Sequence, residues 1–563
     1  MPALAGPHLS AATFTVLNTN DSGPGSLRQA VLDSNANPGG DRIVFNIPGA
    51  GVHTISPLTP LPVMTDDAGV TIDGYTQPGS SANTRAIGDN AVLSIELNGS
   101  LSGATAVGLD LQSSGNLIRG LAVNRFDRGI SVARGSGNSV RGCFVGTTPS
   151  GLAAAANRVG VGIEGLDIDI QVGDTLVGGA DPASRNVVSG NTQAGIAAGF
   201  FSARTVVSGN YVGTDARGIA ALPNGSAGIS VTAANETTLG GSEPGAGNVI
   251  SGNNGFGIVV GFSYKTEILG NFVGTNASGT SAVGNRAGIV DEQDLGTVIG
   301  GTQPGAGNVV SGNDSTGILV FFGTKETTIQ GNRVGTDISG KPLGNGGHGI
   351  WIRQFSSNIA VGGDAPNVIT FNAGAGVAIG TDPSDTSARI RVGKNSIYDN
   401  GGLGIDLASD GITPNDPQDP DPGPNNLQNF PVVSAAVSNG ITVRILGTLD
   451  SIPNSVFSIQ LFSNRACDGS QHGEGEAFLG ETSLATDSQG VGKFEAVLPF
   501  VGQDGVITAL AMDSAGNTSE FSPCAGVSFG VLPTSVPTLS RRALVLFALL
   551  VASAGVFLAA RAV

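Results

Sequence analysis

The chain has 563 residues, 89 of them glycine, with 40% hydrophobic, 5% aromatic and 13% charged residues and a net charge of −17. That apolar fraction excludes a disordered chain, and the shortage of helix formers points to a long, thin core built from strands. The negative charge excludes nucleic acid and anionic membrane surfaces as partners, since both need basic patches, and leaves cations, neutral glycans and proteins.

The first residues, Met1-Pro-Ala-Leu-Ala-Gly-Pro-His, carry neither the basic start nor the apolar core of a secretory signal, so the true start is expected upstream. Thr13-Phe-Thr-Val, Arg42-Ile-Val-Phe, His53-Thr-Ile-Ser, Val70-Thr-Ile and Val92-Leu-Ser-Ile-Glu-Leu alternate with the period of strands. Between the first two lies Ser26-Leu-Arg-Gln-Ala-Val-Leu-Asp-Ser-Asn, with an N-capping Ser and with Leu27, Ala30 and Val31 on one helical face. Residues 1–37 are therefore expected to form a strand and a helix that caps an open sheet edge.

Residues 38–410 are assigned to a repeat region, in which one motif returns regularly from roughly Arg128 to Ile405. Asn-Val-Ile-Ser-Gly-Asn alternates with Gly-Asn-x-Val-Gly-Thr, and the Val of the second motif falls at Val212, Val273 and Val334, 61 residues apart, after Val145. Gly-Ile pairs recur at half that period, at Ile130, Ile163, Ile196, Ile229, Ile258, Ile289, Ile318, Ile350 and Ile405, with Gly376-Val377 filling the gap, in steps of 27 to 33 residues. Each step holds three short strand signals separated by Gly, Asn, Ser and Thr. Such a unit cannot bury its own apolar face and must stack on its neighbours, which predicts a solenoid of parallel strands, a parallel β-helix. Gly and Asn tolerate the left-handed backbone of a sharp corner. Asn191, Asn253, Asn313 and Asn372 are assigned to one corner and Asn210, Asn271, Asn332 and Asn395 to another, each set stacked as a hydrogen-bonded ladder. Cys143 takes the place of the second set in an earlier coil, a buried role rather than a nucleophile.

The segment Phe14-Thr-Val-Leu-Asn-Thr-Asn-Asp-Ser-Gly-Pro-Gly-Ser-Leu-Arg-Gln-Ala-Val resembles the opening of bacterial surface-exposed right-handed β-helix proteins, a group related in fold to pectate lyases. The repeats Gly-Gly-x-x-Pro-Gly-Ala-Gly-Asn-Val-Ile-Ser-Gly-Asn match the same group. The resemblance implies the handedness and a surface location. It leaves function open, because one such scaffold hosts lyases, hydrolases, epimerases, adhesins and inert stalks.

Asn415-Asp-Pro-Gln-Asp-Pro-Asp-Pro-Gly-Pro-Asn-Asn, within 411–426, is Pro-rich and acidic and is expected to be a solvated linker, with Asp416, Asp419 and Asp421 as candidate Ca²⁺ ligands. No other cofactor is expected. Residues 427–530 lose the repeat and alternate at wider spacing, as an antiparallel sandwich does. Met512-Asp-Ser-Ala-Gly-Asn-Thr-Ser-Glu-Phe resembles the last hairpin of bacterial immunoglobulin-like domains, which serve as spacers or binding units. Cys467 and Cys524 both lie here and can pair in an oxidising compartment. In 531–563, Val536-Pro-Thr-Leu-Ser-Arg-Arg precedes an uncharged hydrophobic run from Ala543 to Ala560 that is long enough for a short membrane crossing. It resembles the Ile-Pro-Thr-Leu type of C-terminal sorting tail. That implies secretion to the surface of a Gram-negative cell, although Val replaces Ile and one Arg replaces a basic cluster.

Function is sought where a coil departs from the repeat. Aligning the Gly-Ile pairs gives an inward column Ala198, Val231, Val260, Asp291, Val320, Ile352 and an outward column Thr232, Gly261, Glu292, Phe321, Arg353. Asp291 interrupts an apolar stripe, so it must either be turned outward by a bulge or be paired. Asp291, Glu292 and Arg353 form the candidate catalytic set. Phe262, Tyr264, Phe321 and Phe355, with Phe200, Phe201 and Phe322 near them, are candidates for stacking on sugar rings or for an internal aromatic stack. The expected function is a structural, adhesive or glycan-binding component of the bacterial envelope or matrix, with extracellular polysaccharide as partner. The alternative is a polysaccharide lyase or glycoside hydrolase.

Overall fold

A computed structural model describes residues 11–169, 171–500 and 505–530. The first eight residues and the hydrophobic tail with its sorting motif lie outside these. Among the described residues no helix is long and apolar enough to cross a membrane.

Three parallel sheets wrap the chain into a right-handed β-helix. The first runs from Thr13–Val16 to Ala388–Gly393, the second from His53–Ile55 to Ser396–Tyr398, and the third ends at Ile405–Leu407. Pairing is coil on coil, with Ile229 beside Ile258, Ile258 beside Ile289, Ile289 beside Ile318 and Ile318 beside Ile350. These isoleucines are fully buried and form one continuous core. The Gly before each Ile is dictated by the turn packed beneath it: a Cβ on Gly257 would lie 2.7 Å from the carbonyl oxygen of Gly288 and 2.8 Å from Asn285 Nδ2.

Two asparagine ladders fix the corners on either side of the second sheet. One runs through Asn157, Asn191, Asn224, Asn253, Asn285, Asn313, Asn345, Asn372 and Asn400, each Nδ2 donating to the next Oδ1 at 2.9 to 3.1 Å. The other runs from Asn186 through Asn210, Asn248, Asn271, Asn308, Asn332 and Asn367 to Asn395 at 2.8 to 3.0 Å. Both contain the residues assigned from sequence, but none of those asparagines is left-handed: the positive φ falls on the residue before, as at Gly252 (+74°) and Gly270 (+66°), and the Asn serves the ladder alone. Cys143 heads the second, its N–H donating to Asn186 Oδ1, and burial pushes its thiol up to about 12.

The 61-residue period is two coils. Alternate coils carry a long turn closed by the bridges Thr214↔Ala221 and Thr275↔Ala282. Turn tips two coils apart bond each other, Ala277 N–H to the Gly218 carbonyl at 2.8 Å and Ile338 N–H to Gly279 at 3.0 Å.

The capping helix is Leu27–Ala36, with Ser26 accepting from Gln29 N–H and Leu27, Ala30 and Val31 buried. The solenoid does not start at 38, however. Thr13–Val16 already pairs with Asp41–Phe45, so the helix is inserted within the first coil.

At the other end stands a seven-stranded unit with the order Ala477–Ala485, Val456–Asn464, Val506–Met512, Ala525–Phe529, Val432–Ser438, Thr442–Asp450, Val491–Pro499. All neighbours are antiparallel except Ala525–Phe529 and Val432–Ser438. Cys467 and Cys524 form a disulfide within it. The unit has its own core, yet its Phe462, Leu510 and Phe521 join the core of the solenoid. It also satisfies the last coil's open backbone on all three sheets. Thr518 Oγ1 accepts from Val392 N–H at 3.0 Å, Glu474 from Asp399 and Asn400 N–H at 2.7 and 3.2 Å, and Glu520 from Leu407 N–H at 3.0 Å.

The expected linker at 411–426 is part of this cap. Asn425 is buried and its side chain pairs with both the N–H and the carbonyl of Ile390 at 2.9 and 2.8 Å, while Thr413 N–H donates to Glu520. The proline content kept these residues out of a sheet but not out of the fold. An uncovered last coil would leave a row of unpaired backbone groups.

Candidate functional site

The candidate catalytic set is not brought together. Asp291 stays on the inward column and is fully buried. Its Oδ2 accepts from Thr327 Oγ1 at 2.7 Å and its Oδ1 faces Thr297 Oγ1 at 3.2 Å, while Thr297 also lies 2.5 Å from Asp294 Oδ2. Of the two outcomes open at the sequence level, pairing is the one found, and no bulge turns the side chain out. Burial, with the Asp294 charge added, raises the Asp291 carboxyl well above the usual range, and Asp294 moves the same way. A carboxyl held neutral inside the core supports the fold and reaches no substrate.

Glu292 and Arg353 do face outward, but two coils apart with Phe321 between them. They form no ion pair. Arg353 lies over the ring of Trp351 at 4.0 Å and that of Phe321 at 5.6 Å, and burial lowers its guanidinium. Partial burial raises Glu292. Trp351, whose indole N–H donates to the Gly380 carbonyl at 2.9 Å, was missed from sequence because it stands in an ordinary outward strand position.

The aromatic residues are brought together. They stand at the corner where the chain leaves the third sheet, in the column Phe201, Ala233, Phe262, Gln293, Phe322 and then Gln354-Phe355, and all of these have positive φ. The four Phe of this corner have φ of +61°, +54°, +56° and +68° and are 39%, 59%, 48% and 63% exposed. Phe200 and Tyr264 beside them are 52% and 41% exposed. They are not an internal stack. Phe321 alone among the four sequence candidates is half-buried, beneath Arg353.

The left-handed region costs a residue with a Cβ about 1–2 kcal/mol, and for bulky side chains it is rare. Glycine fills such positions elsewhere in this solenoid, at Gly213, Gly274 and Gly335 among others. At this corner the fold carries large apolar rings in a conformation they disfavour and holds them in water. Strain of that kind persists where the side chain has a use. A sequence signal existed: Phe falls at the bend after an outward strand residue, where the repeat otherwise places Ala or Gln.

Asp416, Asp419 and Asp421 converge, with one carboxylate oxygen of each within 4.8 Å of the others. Asp419 accepts from Gln428 Nε2 at 2.7 Å, Ser451 Oγ at 2.5 Å and Asn429 N–H at 3.2 Å. One oxygen of Asp416 and one of Asp421 are buried without a hydrogen-bond partner. Burial lifts Asp419 to about 6, with Asp421 and Asp416 adding to it. Three hard oxygens and no neighbouring cation suit Ca²⁺ rather than a softer metal.

A polar cleft of about 570 Å³ opens where the last coil meets the cap, lined by Tyr398, Asp399, Arg465, Glu474 and Glu476. Its charges are engaged in docking, since Arg465 pairs with Asp399 and Glu476 at 3.4 and 2.6 Å and Glu474 holds backbone N–H groups.

Coil register, corner ladders and cap define a right-handed parallel β-helix protein carrying an exposed aromatic ridge. Its structure is similar to that of the periplasmic alginate epimerase AlgG, at 14% identity and a TM-score of 0.38 over 63% of this chain and 73% of that one. It is also similar to the A-module of the Azotobacter vinelandii mannuronan C-5 epimerase AlgE6, at 14% identity and 0.34 over 71% and 100%. PfbA, a surface adhesin of Streptococcus pneumoniae, gives 10% identity and 0.39 over 71% and 94%. No family model and no curated protein matches the sequence. At these scores the likenesses decide nothing about function, and the fold rests on its own strand register.

Proposed function

We propose that this protein is a secreted or surface-retained β-helix scaffold of the bacterial envelope or matrix that binds extracellular polysaccharide along its aromatic ridge. The observation that carries the reading is the set of Phe201, Phe262, Phe322 and Phe355, exposed and at positive φ on one corner. Flat aromatic faces match the apolar faces of sugar rings. A long, rigid solenoid offers a polymer many successive contacts, each weak. Retention at the envelope is assigned to the hydrophobic tail, and Asp416, Asp419 and Asp421 to a structural Ca²⁺ that stiffens the cap. Lyase or hydrolase chemistry needs ionisable groups converging on a substrate, and the residues considered for it lie apart.

The test is retention of the intact protein on insoluble polysaccharides. The reading expects retention that falls in Phe262→Ala and Phe322→Ala with melting temperature unchanged or raised. Retention indifferent to these substitutions overturns it.

A further inference from the structure

The spacing of the ridge and the charges beside it narrow the ligand. Coil register places Gly261 beside Glu292 and Glu292 beside Phe321, so Phe262, Gln293 and Phe322 follow as one column. Two coils before Phe262, strand register sets Phe200 beside Ala233 while the bridge Ala203↔Asn235 sets Phe201 there, so this coil carries one extra residue and both rings at the bend. Neighbouring strands lie about 4.8 Å apart, so rings two coils apart are separated by roughly 10 Å. The rings thus recur on every second coil from Phe201 to Phe322, in line with the solenoid axis, and Phe355 follows on the next coil.

The column alongside is mixed in charge. Arg204, Glu236, Lys265, Gly296 and Glu326 occupy successive coils at the second bend, as the bridges Ala203↔Asn235, Asn235↔Tyr264, Tyr264↔Leu295 and Leu295↔Lys325 fix. Its cations are partly committed: Arg204 holds Asp174 at 2.7 and 3.0 Å, and Lys265 lies over the Tyr264 ring at 4.8 Å. A polyanion needs a run of free positive charge, which this rim lacks on a chain of net charge −17.

Resting on the glycan reading above, we infer that the ligand is a neutral, linear polysaccharide in an extended ribbon form, lying along the solenoid axis. In such a ribbon alternate sugars present the same face, so that sugars two apart match rings two coils apart. Every second sugar then seats on a Phe while the intervening one passes Ala233 or Gln293. A polyuronate is disfavoured by the rim and a coiled glucan by the straight row.

The experiment compares retention of the intact protein on a neutral β-1,4-linked glucan or mannan, on cross-linked polygalacturonate and on an amylose resin. Variants are Phe262→Ala, Phe322→Ala and Gln293→Phe, the last adding a ring out of phase. The inference expects retention on the neutral ribbon polymers alone, a loss of about tenfold in affinity for each Phe→Ala change and, for Gln293→Phe, a change within about twofold. Phe-dependent retention on polygalacturonate or amylose alone overturns the inference but leaves the ridge as a glycan site. A large gain in Gln293→Phe overturns the spacing. Retention on no glycan, or self-association that the Phe→Ala variants abolish, overturns both. Unchanged melting of the variants shows that they are folded.

Discussion

The two corners that flank the third sheet are put to opposite ends. Where the chain enters, Asn191, Asn224, Asn253, Asn285 and Asn313 repeat without exception, buried and bonded coil to coil. Where it leaves, the same coils carry Phe201, Ala233, Phe262, Gln293 and Phe322, all at positive φ, with the Phe side chains in solvent. A column that repeats is fixed by the neighbours it must bond. A column that varies while keeping a disfavoured backbone is free of that constraint, and its residues answer to something outside the fold.

The entry corner gives the largest expected effect. Asn253 Nδ2 donates to the Val212 carbonyl at 3.2 Å and to Asn285 Oδ1 at 2.9 Å, and its Oδ1 accepts from Asn224. In Asn253→Ala these partners are left buried and unpaired, which is expected to destabilise the solenoid by about 3 kcal/mol in denaturant unfolding. Phe262→Ala should show no such loss. Equal losses at the two corners would erase the distinction between them.

Next comes pH. Burial raises Glu520 from 4.5 to about 8, and Asp291 is raised in the core. Each binds a proton in the folded state that the unfolded chain has released, so their stabilisation is complete below about pH 4.5 and is lost as pH rises towards 8. Melting temperature should therefore fall between pH 5 and 8. Asp291→Asn, which needs no proton, should flatten part of that slope, and a slope unchanged by the substitution would contradict a buried Asp291 that holds a proton in the folded state. Surface pairs such as Asp174 with Arg204, which hold Asp174 at about 2, have the opposite sign but act only at lower pH.

A smaller effect concerns the cap. Ca²⁺ added to chelator-treated protein is expected to raise the melting temperature by a few degrees through linkage. Asp419→Asn should abolish the rise. No response in the unmodified protein would leave the three carboxylates as a solvated cluster.

Much of this was legible beforehand. The Gly-Ile and Asn periods revealed the coils and the inward column, because a solenoid forces each coil to repeat what its neighbour needs, and the capping helix showed in Ser26 and the Leu27, Ala30 and Val31 face. The position of Asp291 in the core was visible, but its partners were not: Thr297 lies at the far end of the bend that follows Asp291, and Thr327 is its equivalent on the next coil. The linker was misjudged because composition reports what cannot form a sheet, while Asn425 and Thr413 are recruited by the open edge of the last coil. The aromatic cluster and the departure of its Phe from the Ala and Gln of neighbouring coils were visible, but not the left-handed backbone beneath them.

The most direct measurement is on Phe262→Gly, followed for stability by denaturant unfolding and for polysaccharide retention on the same preparation. Glycine accepts φ of +54° without strain. A ring kept for binding at a cost to the fold predicts a gain in stability of up to about 1 kcal/mol together with weaker retention. A less stable protein that retains polysaccharide as well as before would contradict the account.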